Sequence, residues 1–104
     1  MAANQFTKQT YEEFVIEADF SANLITGEII NSQFVSAKDK DGTDVTSTIL
    51  DINTLANDGA SKVSILVRAG SVSASPYKIT LRCITNHAIP HKWEMDITMR
   101  VKEI

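Results

Sequence analysis

One cysteine, two prolines, four glycines and one tryptophan are spread over 104 residues. A lone cysteine makes no internal disulfide, so burial must hold the fold. The few glycines and prolines leave no low-complexity linker, and no internal repeat is visible. No apolar run approaches the roughly 20 residues needed to cross a bilayer. The N-terminal stretch Met1–Lys8 has no apolar segment behind Lys8, so a signal peptide is not expected. Basic residues are a minority, with 10 Lys and Arg against 13 Asp and Glu, a net charge of −3 and a pI near 5.2. Nucleic acid needs a basic surface to displace its counterions, which argues against it as the main partner.

What is present is ordinary for a globular domain: 43% apolar and 22% charged residues. The length predicts a single domain over residues 1–104, with residues 1–9 as a flexible lead-in. The clearest pattern lies near the C-terminal end. Trp93, Met95, Ile97, Met99 and Val101 alternate with Glu94, Asp96, Thr98 and Arg100. Strict period-2 alternation marks a strand with one buried and one wet face. Tyr77, Ile79, Leu81 and Cys83 alternate in the same way with Lys78, Thr80 and Arg82. Thr85–His91 lies between the two segments and supplies Asn86 and Pro90 as turn residues. The pair reads as a β-hairpin, with Lys78 and Arg82 on the same outer face as Glu94, Asp96 and Arg100.

Other segments follow suit. Val63, Ile65 and Val67 form one face of a strand whose outer face carries the apolar Leu66. Phe14, Ile16, Ala18 and Phe20 alternate with Val15, Glu17 and Asp19. Thr10 and Glu13 also fit a capping box, but the alternation running to Phe20 favours a strand over a short helix. Gln33–Ala37 reads as a strand, Val45–Ile52 as β-rich, Ala22–Ile30 as a short strand broken at Gly27, and Leu55–Ala60 as one helical turn. Short strands at this spacing predict an all-β, antiparallel two-sheet sandwich of about seven strands, immunoglobulin-like in class. Phe14, Phe20, Phe34, Tyr77 and Trp93 are expected to fill its core.

Few constellations carry chemistry. Asp39-Lys40-Asp41-Gly42-Thr43-Asp44 resembles a calcium loop, but its first and twelfth ligand positions would be Ala37 and Thr48. It reads instead as a turn in which Gly42 takes a positive φ. Cys83, His87 and His91 are spaced by four and four, but no fourth zinc ligand stands near them. Cys83 reads as core filling and the histidines as exposed loop residues. Nothing activates the thiol as a nucleophile, and no phosphate-binding glycine loop or serine elbow occurs. The acidic run Glu12, Glu13, Glu17 and Asp19 reads as a solvated strand edge. No catalytic residue, metal or cofactor is expected.

The order of several segments resembles a known group. Thr26-Gly27-Glu28-Ile29-Ile30, Asp39–Thr46, Tyr77-Lys78-Ile79-Thr80 and Trp93–Val101 are similar to small immunoglobulin-like proteins of bacteriophage and prophage structural gene clusters. The resemblance spans Phe14 to Val101 and rests on turns and core positions. It departs in Thr85–His91, which is longer than usual and carries two histidines. The resemblance implies a non-enzymatic virion component or adaptor of the head–tail or tail-fibre region. Its expected partners are other virion proteins or copies of itself in a homo-oligomer, with no membrane contact. The expected location is the virion or the host cytoplasm. The alternative is an adhesion or carbohydrate-binding module of the same architecture. Leu66, Ile84, His87 and His91 are the candidate partner-contact residues, since two are apolar on wet faces and two lie in the divergent loop.

Overall fold

The computed structural model describes residues 4–103. The alternating C-terminal segments pair as expected. Strand β6 (Tyr77–Thr85) runs antiparallel to β7 (Lys92–Val101), with Tyr77 opposite Met99 and Arg82 opposite Glu94. Strand β3 (Ile30–Lys38) adds antiparallel to the other side of β6. Strand β1 (Asn4–Lys8) lies parallel to the last five residues of β7 and closes a sheet of order β1-β7-β6-β3. The second sheet, β2-β5-β4, is made by β2 (Phe14–Asp19), β5 (Lys62–Val67) and β4 (Leu50–Asn57). A one-turn helix, α1 (Thr46–Ile49), precedes β4.

The inward residues of both sheets form one core. Ala18, Ile49, Leu50, Val63, Ile65, Val67, Ile79, Leu81 and Met99 are sealed from solvent, with Phe20 and Tyr77 as the bulky members. Tyr77 stands at the start of β6, and its hydroxyl accepts the Ser71 N–H at 2.9 Å. This is the tyrosine-corner arrangement of immunoglobulin-like sandwiches. Gly70 packs beneath it with φ +144°, and a Cβ there would lie 3.1 Å from Val101 Cγ2. Glycine is therefore required at that corner for both backbone and space.

Several expectations are corrected. Residues 4–8 of the anticipated flexible lead-in form β1, because the exposed edge of β7 offers backbone partners that a polar segment can use. Phe34 is not core: it sits opposite Arg82 on the outer face and is 49% exposed. Phe14 and Trp93 are only partly buried. In the Val45–Ile52 stretch, Asp44 Oδ1 accepts the Thr46 N–H and hydroxyl and turns the chain into α1 before the strand begins. Leu55–Asn57 is strand, not a helical turn. The Asp58 carboxylate accepts the N–H groups of Ala60, Ser61 and Lys62 and so makes that turn itself. The stretch before β3 contains turns and no strand around Gly27. Gly42 has φ +83° as expected, with Asp39 Oδ1 accepting from Asp41 and Thr43.

Candidate functional site

The outer face of the four-stranded sheet is built by residues that alternate with the core. From β3 it presents Ser32, Phe34, Ser36 and Lys38; from β6, Lys78, Thr80, Arg82 and Ile84; from β7, Lys92, Glu94, Asp96, Thr98 and Arg100. Gln5 and Thr7 continue it on β1. Arg82 Nε meets Glu94 Oε1 at 2.6 Å, and Lys78 Nζ lies 3.4 Å from Asp96 Oδ2. Both pairs are solvated, so they order the face more than they stabilise it. Thr80 donates to Asp96 at 2.7 Å. Phe34 and Ile84 rise among these charges and border a shallow depression of about 580 Å³ with Arg82, Lys92 and Glu94.

The charge on this face opposes that of the chain. Five exposed cations, Lys38, Lys78, Arg82, Lys92 and Arg100, stand against two carboxylates, Glu94 and Asp96. The formal charge is +3 on a chain of −3. The outer face of β2-β5-β4 has the other sign. Glu17, Asp19 and Asp51 stand there against Lys62 and Arg68, whose guanidinium lies 4.0 Å from Asp51, a formal −1. Its apolar spot is Val15, 60% exposed and directly across the ladder from the half-buried Leu66.

The remaining candidates gather at one end of the sandwich. His87 and His91 stack with ring centroids 4.5 Å apart and planes at 18°. His91 Nδ1 lies 2.8 Å from Glu28 Oε2. A carboxylate can only accept, so Nδ1 carries the proton. The Glu28 side chain is 1% exposed, and its Oε1 accepts the Ile25 N–H at 3.1 Å. A hydrogen bond from Thr85, then the Ile25 amide and His91, hold the Glu28 carboxyl below its usual 4.5 against the opposing effect of burial. The histidines are therefore half-buried and tied down, not free loop residues. Sequence reasoning missed Glu28 because 63 residues separate it from His91.

Cys83 does not join them. It is 1% exposed within the core, and burial raises its thiol above the ordinary 9.0. A thiol so placed is a poor nucleophile. Of the four candidate contact residues, Ile84 lies on the basic face, Leu66 on the acidic face, and His87 and His91 at the β6–β7 turn. Among the described residues, no group of three His, Cys, Asp or Glu side chains is arranged to hold a metal ion. No helix among them is long and apolar enough to cross a membrane.

No family model matches the chain, and no curated protein matches it by sequence. Solved structures do. Murine CRIg superposes with a TM-score of 0.61 at 12% identity, over 96% of this chain and 93% of that one. The fold is an immunoglobulin-like β-sandwich. At such identity the likeness is one of fold alone. Looser matches are Dpr1 IG1 bound to DIP-eta IG1, with a TM-score of 0.49 at 13% identity over 98% and 92% of the two chains, and the ZIG-8 IG1 homodimer, with 0.44 at 8% over 96% and 81%.

Proposed function

We propose that this chain is a non-enzymatic protein–protein interaction module that works through the outer faces of its sandwich. The observation that carries the reading is Phe34, an aromatic residue 49% exposed beside Ile84 in a setting of five cations. Exposed aromatics and arginine inside a polar rim are what protein contacts use as anchors, and Arg82 lies directly opposite Phe34. The only thiol is buried, which argues against nucleophilic chemistry at Cys83.

The setting we assign to the module is the particle of a bacteriophage or prophage, in the head–tail or tail-fibre region, as structural part or adaptor. This rests on the sequence resemblance over Phe14 to Val101. The test is cofractionation with purified particles after induction. Wild-type chain should travel with the particle, and Phe34→Glu, folded but with its anchor reversed, should not. Wild-type chain absent from particles would overturn the assignment.

A carbohydrate-binding role is the second reading. Tyr11 is 96% exposed and borders a shallow depression with Glu12 and Glu13, the groups that stack on and hydrogen-bond sugars. Glycan-array binding lost in Tyr11→Ala and kept in Phe34→Glu would favour it.

A further inference from the structure

The two outer faces of the sandwich match each other. One carries a formal +3 around Phe34 and Ile84, the other a formal −1 around Val15 and Leu66, with Glu17 and Asp19 exposed and Asp51 engaged by Arg68. We infer that successive copies of this chain dock head to tail, the basic face of the β1-β7-β6-β3 sheet on the acidic face of the β2-β5-β4 sheet of the next copy. This rests on the reading of the chain as a protein-contact module and names its partner as itself.

The charges decide between pairing modes. A two-fold dimer through the basic face alone would set Lys38, Lys78, Arg82, Lys92 and Arg100 of one copy against the same five of the other, an unfavourable like-charge contact. Basic on acidic face removes that repulsion and covers both apolar spots in one contact. Such an interface is heterologous, so it propagates: copies close into a ring or extend as a filament. Each face of a small sandwich offers limited area, which places the contact in the weak class, strengthened where many copies are held together. Lys40 and Asp41 lie in the β3–α1 turn, outside the strands of both sheets.

Sedimentation velocity of the purified chain tests this directly. Wild-type chain should form species larger than dimers at high concentration and low ionic strength. Salt should dissociate them, because screening shortens the reach of charge from about 10 Å at 0.1 M to about 3 Å at 1 M. Phe34→Glu spoils only the basic face and Val15→Lys only the acidic face. Each alone should remain monomeric, and their mixture should give one-to-one pairs that do not grow. Thermal unfolding would verify that both variants fold. Lys92→Glu with Glu17→Lys gives a second pair, both at exposed positions, should either fail.

Monomeric wild-type chain under all conditions overturns the inference, as does association that stops at a dimer. So does a mixture of the two variants that remains monomeric. Any of these results leaves particle cofractionation to decide the broader reading separately.

Discussion

His91 Nδ1 lies 2.8 Å from the Oε2 of Glu28, and the contact ties the loop before β3 to the turn between β6 and β7. Thr85 strengthens the same junction by accepting the His91 N–H at 3.1 Å, and Asn86 Oδ1 accepts the Ile29 N–H at 2.9 Å. Two loops distant in sequence are thereby held as one surface. The consequence is a defined response to acid.

Glu28 is more acidic in the folded chain than in the unfolded one, so its contribution to stability is present above its ordinary 4.5 and is lost as pH falls through the lower folded value. Asp19, held by the Ser21 amide, and Asp44, held by Thr46, shift in the same direction. Urea midpoints should therefore be flat from neutrality to about pH 5 and fall toward about pH 3. Glu28→Gln should lower the midpoint near neutrality and make the acid decline shallower. An unchanged decline would refute this role for Glu28.

Lys8 is sealed from solvent, and its ammonium donates to the carbonyls of Gln9 and Thr10 at 2.8 and 3.1 Å. The stem fills space beneath β1 while the head group is satisfied locally. Lys8→Met keeps that volume without the charge, and stability should change by less than about 1 kcal/mol. Lys8→Ala also removes the stem and should cost about 2 kcal/mol or more. Equal losses in the two variants would show that the charge, not the stem, matters.

Cys83 should resist alkylation in the folded chain and react at once in denaturant, since the thiol is 1% exposed and burial disfavours its thiolate. Raising pH toward 9.0, the thiol's ordinary value, should leave the native reaction slow. Rapid labelling under native conditions would reopen nucleophilic chemistry at this position.

Trp93 is partly buried on β7, with its ring 6.2 Å from that of His91, and its indole Nε1 meets no acceptor among the described residues. Trp93→Phe removes an unpaired donor along with some apolar contact, so its cost should stay below about 1 kcal/mol. Trp93→Ala loses the ring and should cost roughly 3 kcal/mol. Chemical denaturation of both variants measures the difference.

Alternation along Tyr77–Cys83 and Trp93–Val101 determined the hairpin, its inner and outer faces and the sandwich class, because a strand's side chains repeat every second residue whatever surrounds it. Where polar and apolar residues do not sort cleanly between the two faces, the period says which residues share a face but not which face turns inward. Phe34 shows the limit. Its bulk favours the core, but Val35 and Ala37 on the alternate positions were turned inward when β3 paired with β6, and Phe34 came to lie beside Arg82. The same limit governs β1, a polar segment that becomes a strand only because the edge of β7 is there to pair with. It governs the Glu28–His91 contact, which spans 63 residues. Composition gave one number for charge. Only the tertiary structure divided that charge into a basic and an acidic face, because alternation and strand order sort residues by side of the sheet and not by place in the chain.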